Sequence, residues 1–302
     1  MTNKFLNNGK VGKNNFWRYA VTSVMSFGVS EIVVIFYLLI FTLVYQLLMG
    51  NYGSDMVIYF IIIFFTFSAS TIFLLIFLEF LHKRSVMSIV NTIDKYDVYG
   101  KSKSWIKRIR WKRFFKGFLI WSIFLIIIQT VTFIFYPEDF TFNWDLTSFF
   151  FLFILFLIAI PIQVTFEELF FRGYLNQGLS LKIKNPIIII TISSVIFGLG
   201  HLYQGNEILS ISFAFYSAFI VGLIWSIMTL LDNGIEWSTG AHLANNFFAF
   251  AIIGGEGSTD NFGTLFSVRG SDPLFWVILS TLTLFGFLII LILLKREKIL
   301  KL

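Results

Sequence analysis

Apolar runs long enough to cross a hydrocarbon core, roughly 20 residues for a bilayer about 30 Å thick, recur along the chain with short polar stretches between them. Eight can be marked, approximately at residues 30–49, 57–81, 114–136, 147–170, 187–204, 208–231, 237–254 and 274–294. The pattern predicts an all-α, polytopic membrane protein of about eight transmembrane helices. Residues 30–302 read as a single transmembrane domain behind a polar cap at 1–29, with the largest polar loop at 82–113. No internal repeat is visible, so an inverted-repeat transporter gains no support.

The basic residues then orient the helices. Lys4, Lys10, Lys13 and Arg18 precede the first run, while the first loop, Gly50 to Asp55, carries only negative charge. The next connection, Lys83 to Lys116, is crowded with lysine and arginine, and the one after it is acidic at Glu138, Asp139 and Asp145. Lys182 and Lys184 return to the basic side, and Lys295, Arg296, Lys298 and Lys301 follow the last run. This alternation is the positive-inside pattern and puts both termini in the cytoplasm. It also accounts for the net charge of +6 without a nucleic-acid partner. Trp105 and Trp111 among basic residues read as an interfacial anchor facing anionic lipid. No small-residue cleavage site follows a short apolar core near the start, so a cleaved signal peptide is not expected.

Composition narrows the chemistry. The chain is 57% hydrophobic and 13% charged, far from a soluble domain. It contains no cysteine, which excludes disulfides, thiolate nucleophiles and cysteine metal sites. Catalysis, if present, must use carboxylates, histidines or hydroxyls.

Ionisable groups inside hydrocarbon are costly and therefore mark functional sites. Glu31 and Glu79 lie near span ends and are expected to be solvated, as are Asp232 and Glu236 around Gly234. The others cluster in the second half: Glu167, Glu168 and Arg172 ending the fourth run, His201 ending the fifth, and His242 with Asn246 in the seventh. Glu168 and Arg172 are four apart with the acid first, the favourable order for an ion pair on one helix face. Glu167 is rotated by about 100 degrees from Glu168, and is left as an unpaired carboxylate, the kind of group a general base requires. Pro161 is expected to kink this span and turn its end inward.

Phe197 and His201 share a face, flanked by Gly198 and Gly200, where a neighbouring helix can approach closely. His242 and Asn246, also four apart, present two groups able to donate to one developing negative oxygen. Asn245 faces elsewhere and reads as a packing contact.

At these residues the sequence resembles the CAAX prenyl protease and bacteriocin-processing family, also called the CPBP or Abi family, whose motifs are EExxxR, FxxxH and HxxxN. They stand here as Glu167-Glu168-Leu169-Phe170-Phe171-Arg172, Phe197-Gly198-Leu199-Gly200-His201 and His242-Leu243-Ala244-Asn245-Asn246, complete and in order. The resemblance covers roughly residues 145–255, about a third of the chain. It implies an intramembrane endopeptidase that hydrolyses a peptide bond of a membrane-associated peptide or protein. Glu167, assisted by His201, would activate water, and His242 with Asn246 would stabilise the oxyanion. The family is also described as metallopeptidases, and Glu167, His201 and His242 could hold a zinc ion, although the HExxH spacing is absent and direct glutamate catalysis is favoured. The competing functions are a non-catalytic bacteriocin-immunity or assembly factor and a proton-coupled transporter. The partners expected are a peptide or protein substrate entering from the membrane or the cytoplasmic face and the lipid bilayer. The composition and the absence of a targeting segment point to a bacterial plasma membrane.

One conflict arises from the spans themselves. If the fifth begins at Pro186 on the inner side, His201 lies about 22 Å along it at 1.5 Å per residue, while Glu167 lies only one to two turns from that side. The expected resolution is a surface segment within 173–190 and a fifth helix that enters later, combined with tilted helices around a deep cytoplasmic cavity.

Overall fold

The computed structural model describes residues 3–29, 54–92, 105–143, 146–202, 208–255 and 264–269, with isolated helical positions within 32–43 and 281–289. Its principal helices are α1 (Phe16–Ser23), α2 (Ser54–Phe80), α3 (Trp111–Phe135), α4 (Leu146–Glu167), α5 (Pro186–Leu199), α6 (Ile208–Asp232) and α7 (Glu236–Phe247). Four stretches, Ile58–Phe80, Trp111–Phe135, Phe149–Leu179 and Ile208–Asp232, are long and apolar enough to cross a membrane. Their outward positions are themselves apolar, among them Ile72, Ile126, Phe150 and Leu157, as expected where the surrounding solvent is lipid rather than water. The chain is thus an α-helical, polytopic membrane protein. Of the other expected spans, the fifth is the 14-residue α5 and the seventh is the 12-residue α7. The first and eighth, Glu31 and both termini fall largely outside the described residues.

The helical periodicity gave no hint of a small three-stranded sheet made from β1 (Phe140–Phe142), β2 (Ile253–Gly255) and β3 (Phe266–Val268) in the order β1-β3-β2. β3 pairs antiparallel with β1 and parallel with β2. It ties the α3–α4 connection to the end of α7, and the Asn143 amide strengthens the tie by donating to the Thr264 carbonyl and the Ser267 hydroxyl.

Helix α7 is fixed against α3 by two glycines. A Cβ on Gly240 would lie 2.0 Å from the Phe114 carbonyl oxygen, and one on Gly117 would lie 2.1 Å from that of Trp237. Only hydrogen fits at either place, so the backbones meet directly.

The conflict over depth is resolved by α4, not by α5. Helix α5 begins at Pro186, capped by the Asn185 side chain accepting from the Ile187 N–H at 2.9 Å, so it does not enter late. Instead the chain stays helical beyond Glu167, first as a π-helical segment, Glu168–Leu175, and then as a turn of α-helix, Asn176–Leu179. Helical structure thus continues for twelve residues beyond Glu167, which lies inside a long helix and not at its basic-side end. Pro161 lies inside α4 without ending it.

The segments on the basic side are docked rather than loose. Phe5 and Leu6 from the amino-terminal stretch belong to the main core, and Asn8 donates to the carbonyls of Ser88 and Asn91 at 2.9 Å. Arg84 is buried and donates to Gln177, Ser88 and Tyr19. His82 has no exposed surface; its Nδ1–H donates to the Lys13 carbonyl, and its Nε2 accepts from the Tyr174 hydroxyl at 2.9 Å. Burial, reinforced by the Arg84 charge, pushes the His82 imidazole down to about 4.

Asp232 and Glu236 are not solvated as their sequence position suggested; they are 4% and 3% exposed. Arg110 pairs with Glu236 and lies 3.6 Å from Asp232, Arg113 pairs with Asp232, and the Asn91 amide donates to Glu236 at 2.6 Å. Basic side chains leading into α3 fold over the α6–α7 turn and replace the water those carboxylates would otherwise need.

Two measurements test this framework. Glu236→Ala takes from Arg110 its closer acid and from the Asn91 amide its acceptor, leaving Asp232 at 3.6 Å as the remaining acid, and should destabilise the protein in detergent by about 1–3 kcal/mol. His82 binds a proton more weakly folded than unfolded, so stability should fall as pH drops from about 6.5 towards 4. His82→Leu should flatten that slope in thermal unfolding scans.

Candidate functional site

Four of the singled-out side chains, Glu167, Glu168, Arg172 and His242, form one buried cluster where α4 and its π-helical extension pass α7. Each is less than 9% exposed. A π-helical segment widens the turn and re-aims successive side chains, and such segments recur at functional sites.

Glu168 and Arg172 form the expected ion pair, with Nη1 3.1 Å from Oε1. The contact has charge but not hydrogen-bond geometry, and the Arg172 nitrogens are without acceptors among the described residues. Aromatic rings take their place. The guanidinium carbon sits 4.4 Å from the Phe197 ring centre, 5.3 Å from Trp225 and 5.9 Å from Phe171. A desolvated cation over ring faces is stabilised by the ring quadrupole.

The sequence reading gave Glu168 to Arg172 alone; the structure adds a second partner. The same Oε1 accepts from His242 Nδ1 at 2.9 Å. That bond fixes the ring orientation and leaves Nε2 facing Glu167, whose Oε2 lies 3.5 Å away. The other oxygen of Glu167 accepts from the Gln163 amide at 3.2 Å, one turn earlier on α4. Oε2 has no hydrogen-bond partner among the described residues. Glu167 is therefore the less committed of the two acids.

Asn246 stands one turn beyond His242 on α7 and is buried. His201 is half-buried just past the end of α5, and its Nδ1–H donates to the Phe197 carbonyl at 2.8 Å. With that tautomer its Nε2 carries the free lone pair. Phe197 connects it to the rest: its ring is 4.6 Å from His201, 6.2 Å from His242 and 5.1 Å from Phe171. The close approach expected at Gly198 is present, since a Cβ there would lie 3.0 Å from the Phe215 ring on α6. Asn245 makes the expected packing contact, accepting from the Trp121 indole at 3.3 Å.

Trp225 is a residue that sequence reasoning missed. Its ring stacks on His242 at 4.1 Å and 24°, and it also closes over Arg172. It sits within a uniformly apolar helix, where nothing local distinguishes it from lipid-facing aromatics. Gln163 was missed as well, although its place one turn before Glu167 is a local signal that could have found it.

The zinc set of Glu167, His201 and His242 does not fit this arrangement. Among the described residues no three His, Cys, Asp or Glu side chains converge closely enough to hold an ion. Two donors converge, Glu167 Oε2 and His242 Nε2.

Comparison with known proteins matches this part of the chain. Residues 145–248 fit the family model of type II CAAX prenyl endopeptidase Rce1-like proteins. The matched residues include all three motifs. A curated relative, uncharacterized protein YyaK of Bacillus subtilis (strain 168), is 30% identical over 169 residues, 55% of this chain and 56% of that protein. The chain thus matches little more than half the length of that relative. No solved structure matches.

The charge cluster makes its own prediction. Arg172→Met alone leaves the buried Glu168 carboxylate with His242 as its remaining partner and should cost about 3 kcal/mol, whereas Glu168→Gln with Arg172→Met should recover much of that loss. A double-mutant cycle in thermal or denaturant unfolding measures the difference.

Proposed function

We propose that this protein is a membrane-embedded endopeptidase that hydrolyses a peptide bond of a membrane-associated peptide or protein, with Glu167 as the base that activates water. One observation carries the assignment. Of two adjacent buried acids, Glu168 is held by Arg172 and His242, while Glu167 keeps an oxygen without a hydrogen bond, directed at an imidazole nitrogen. The Rce1-like match, which spans Glu167, His201, His242 and Asn246, supports the same reading.

In this mechanism water attacks the carbonyl carbon as Glu167 takes its proton, and His201 assists through its free Nε2. The carbonyl oxygen becomes an oxyanion, which receives hydrogen bonds from the Asn246 amide and from His242 acting as an imidazolium, with Nδ1–H on Glu168 and Nε2–H on the oxyanion. Glu168 holds the other His242 nitrogen so that the donor is already aimed. Collapse of the tetrahedral intermediate breaks the C–N bond, and the proton held by Glu167 passes to the leaving amine. No metal is required in this scheme. We place the protein in a bacterial plasma membrane, with substrate arriving through the membrane or from the cytoplasmic face.

Purified protein in liposomes, given a panel of membrane-associated peptides with and without a chelator, tests the reading. Glu167→Gln should lower cleavage by about 10²–10⁴-fold, and Asn246→Ala by about 10²–10³-fold, with unfolding temperatures near wild type and no effect of chelator. Undiminished cleavage by Glu167→Gln overturns the assignment of the base. Loss of wild-type activity with chelator replaces this mechanism with a metal-dependent one.

A further inference from the structure

A cleft of about 1110 Å³ opens between α2, α4 and α7, on the basic side of the molecule. Pro161, Val164, Thr165 and Leu169 form its α4 wall, whereas neither Glu167 nor His201, His242 or Asn246 lines it. Its lining is thus distinct from the proposed catalytic side chains.

The chemistry of the cleft is divided along its length. Its inner part is lined by Leu75, Val164, Leu169 and Leu243, and its polar groups there are threonine hydroxyls. All three hydroxyls are already donated to their own helices: Thr71 to the Phe67 carbonyl, Thr165 to that of Pro161 and Thr239 to that of Ile235, at 2.6–2.8 Å. Those walls offer a peptide backbone no free donor, and a bound peptide would leave its carbonyls unsatisfied. An alkyl chain has no such requirement.

At the other end the cleft is charged. Lys83, Arg84 and Arg108 line it together with Glu79 and Glu236. Glu236 is already neutralised by Arg110, and Lys83 with Arg84 outweighs Glu79, so the balance is positive. Lys83 is exposed and projects beside Phe80, with Nζ 5.9 Å from the ring centre. This end coincides with the end of α2, at Phe80, and the start of α3, at Trp111, where the sequence puts the membrane interface.

We propose that the cleft binds one anionic phospholipid, with an acyl chain between α2, α4 and α7 and the phosphate headgroup against Lys83. The charge complementarity and the one-ended polarity select an amphiphile, and the self-satisfied hydroxyls select an alkyl chain over a peptide. The proposal goes beyond the peptidase reading and does not depend on it.

The test is photo-crosslinking of full-length protein in phosphatidylcholine nanodiscs. These carry either phosphatidylglycerol or phosphatidylcholine with a diazirine in the acyl chain. Phosphatidylglycerol should label peptides containing 161–169 and 239–243 well above phosphatidylcholine. Lys83→Gln should reduce that labelling about five-fold, the weight of one basic side chain at an anionic lipid surface. Leu75→Trp, which fills the cleft from α2, should reduce labelling by both lipids. Equal labelling of wild type by the two lipids overturns the proposal, whether or not the variants fold. Displacement of the label by a peptide substrate also overturns it, because the cleft would then be a substrate passage.

Discussion

A guanidinium taken out of water is tolerable only if its charge is answered nearby, and Arg172 imposes that condition on the centre of this molecule. Its answer comes from three elements at once: Glu168 on the same helix, Phe197 on α5 and Trp225 on α6. Helix α7 joins through His242, which shares the Glu168 oxygen and stacks on Trp225. In a bilayer there is little hydrophobic drive to bring one apolar helix against another. A buried charge with obligatory partners supplies the missing specificity, because displacing any one helix exposes an unpaired ion to hydrocarbon.

That requirement also explains the unusual course of α4. To meet α5, α6 and α7 in mid-span, the acidic pair must lie well inside its helix, and the helix must continue beyond it to the basic side. The π-helical segment accomplishes both. It carries Glu168 and Arg172 on buried positions, and further on it places Tyr174 against His82 and brings the chain to Gln177, beside Arg84. The same helix is therefore held at its centre by charge and near its end by a polar knot from the amino-terminal stretch and the α2 terminus.

How far these features were legible depends on the range of the interaction that produces them. Contacts within one helix follow its period, so the Glu168–Arg172 pair, the shared face of Phe197 and His201, and the packing role of Asn245 could be read from spacing. Helix identity followed from the length of apolar runs. Contacts between helices carry no local signature: Trp225 looks like any aromatic in a greasy span, and nothing near Glu168 announces His242 as its second partner. Asp232 and Glu236 show the same limit from the other side. A short polar turn ordinarily implies solvent, and only the fold reveals that Arg110 and Arg113 have taken its place. The depth of Glu167 was misjudged because an amphipathic π-helical stretch, Glu168–Leu175, lacks the apolar run by which a span is recognised.

These anchors leave an asymmetry within the acidic pair that bears on function. Glu168 is bound on a single oxygen by both a cation and an imidazole, and its environment fixes it as a structural ion. Glu167 shares the same burial and the same helix, yet its firmest contact is with a neutral amide, and its second oxygen meets only a nitrogen at 3.5 Å. A group used for proton transfer must be free to change its charge, and a group that anchors a fold must not. The two adjacent acids differ because Glu168 alone of them forms the ion pair with Arg172 among the described contacts. The charge that orders the fold thereby also arranges the surroundings of the neighbouring carboxylate: Glu168 holds His242, and His242 presents its remaining nitrogen to Glu167.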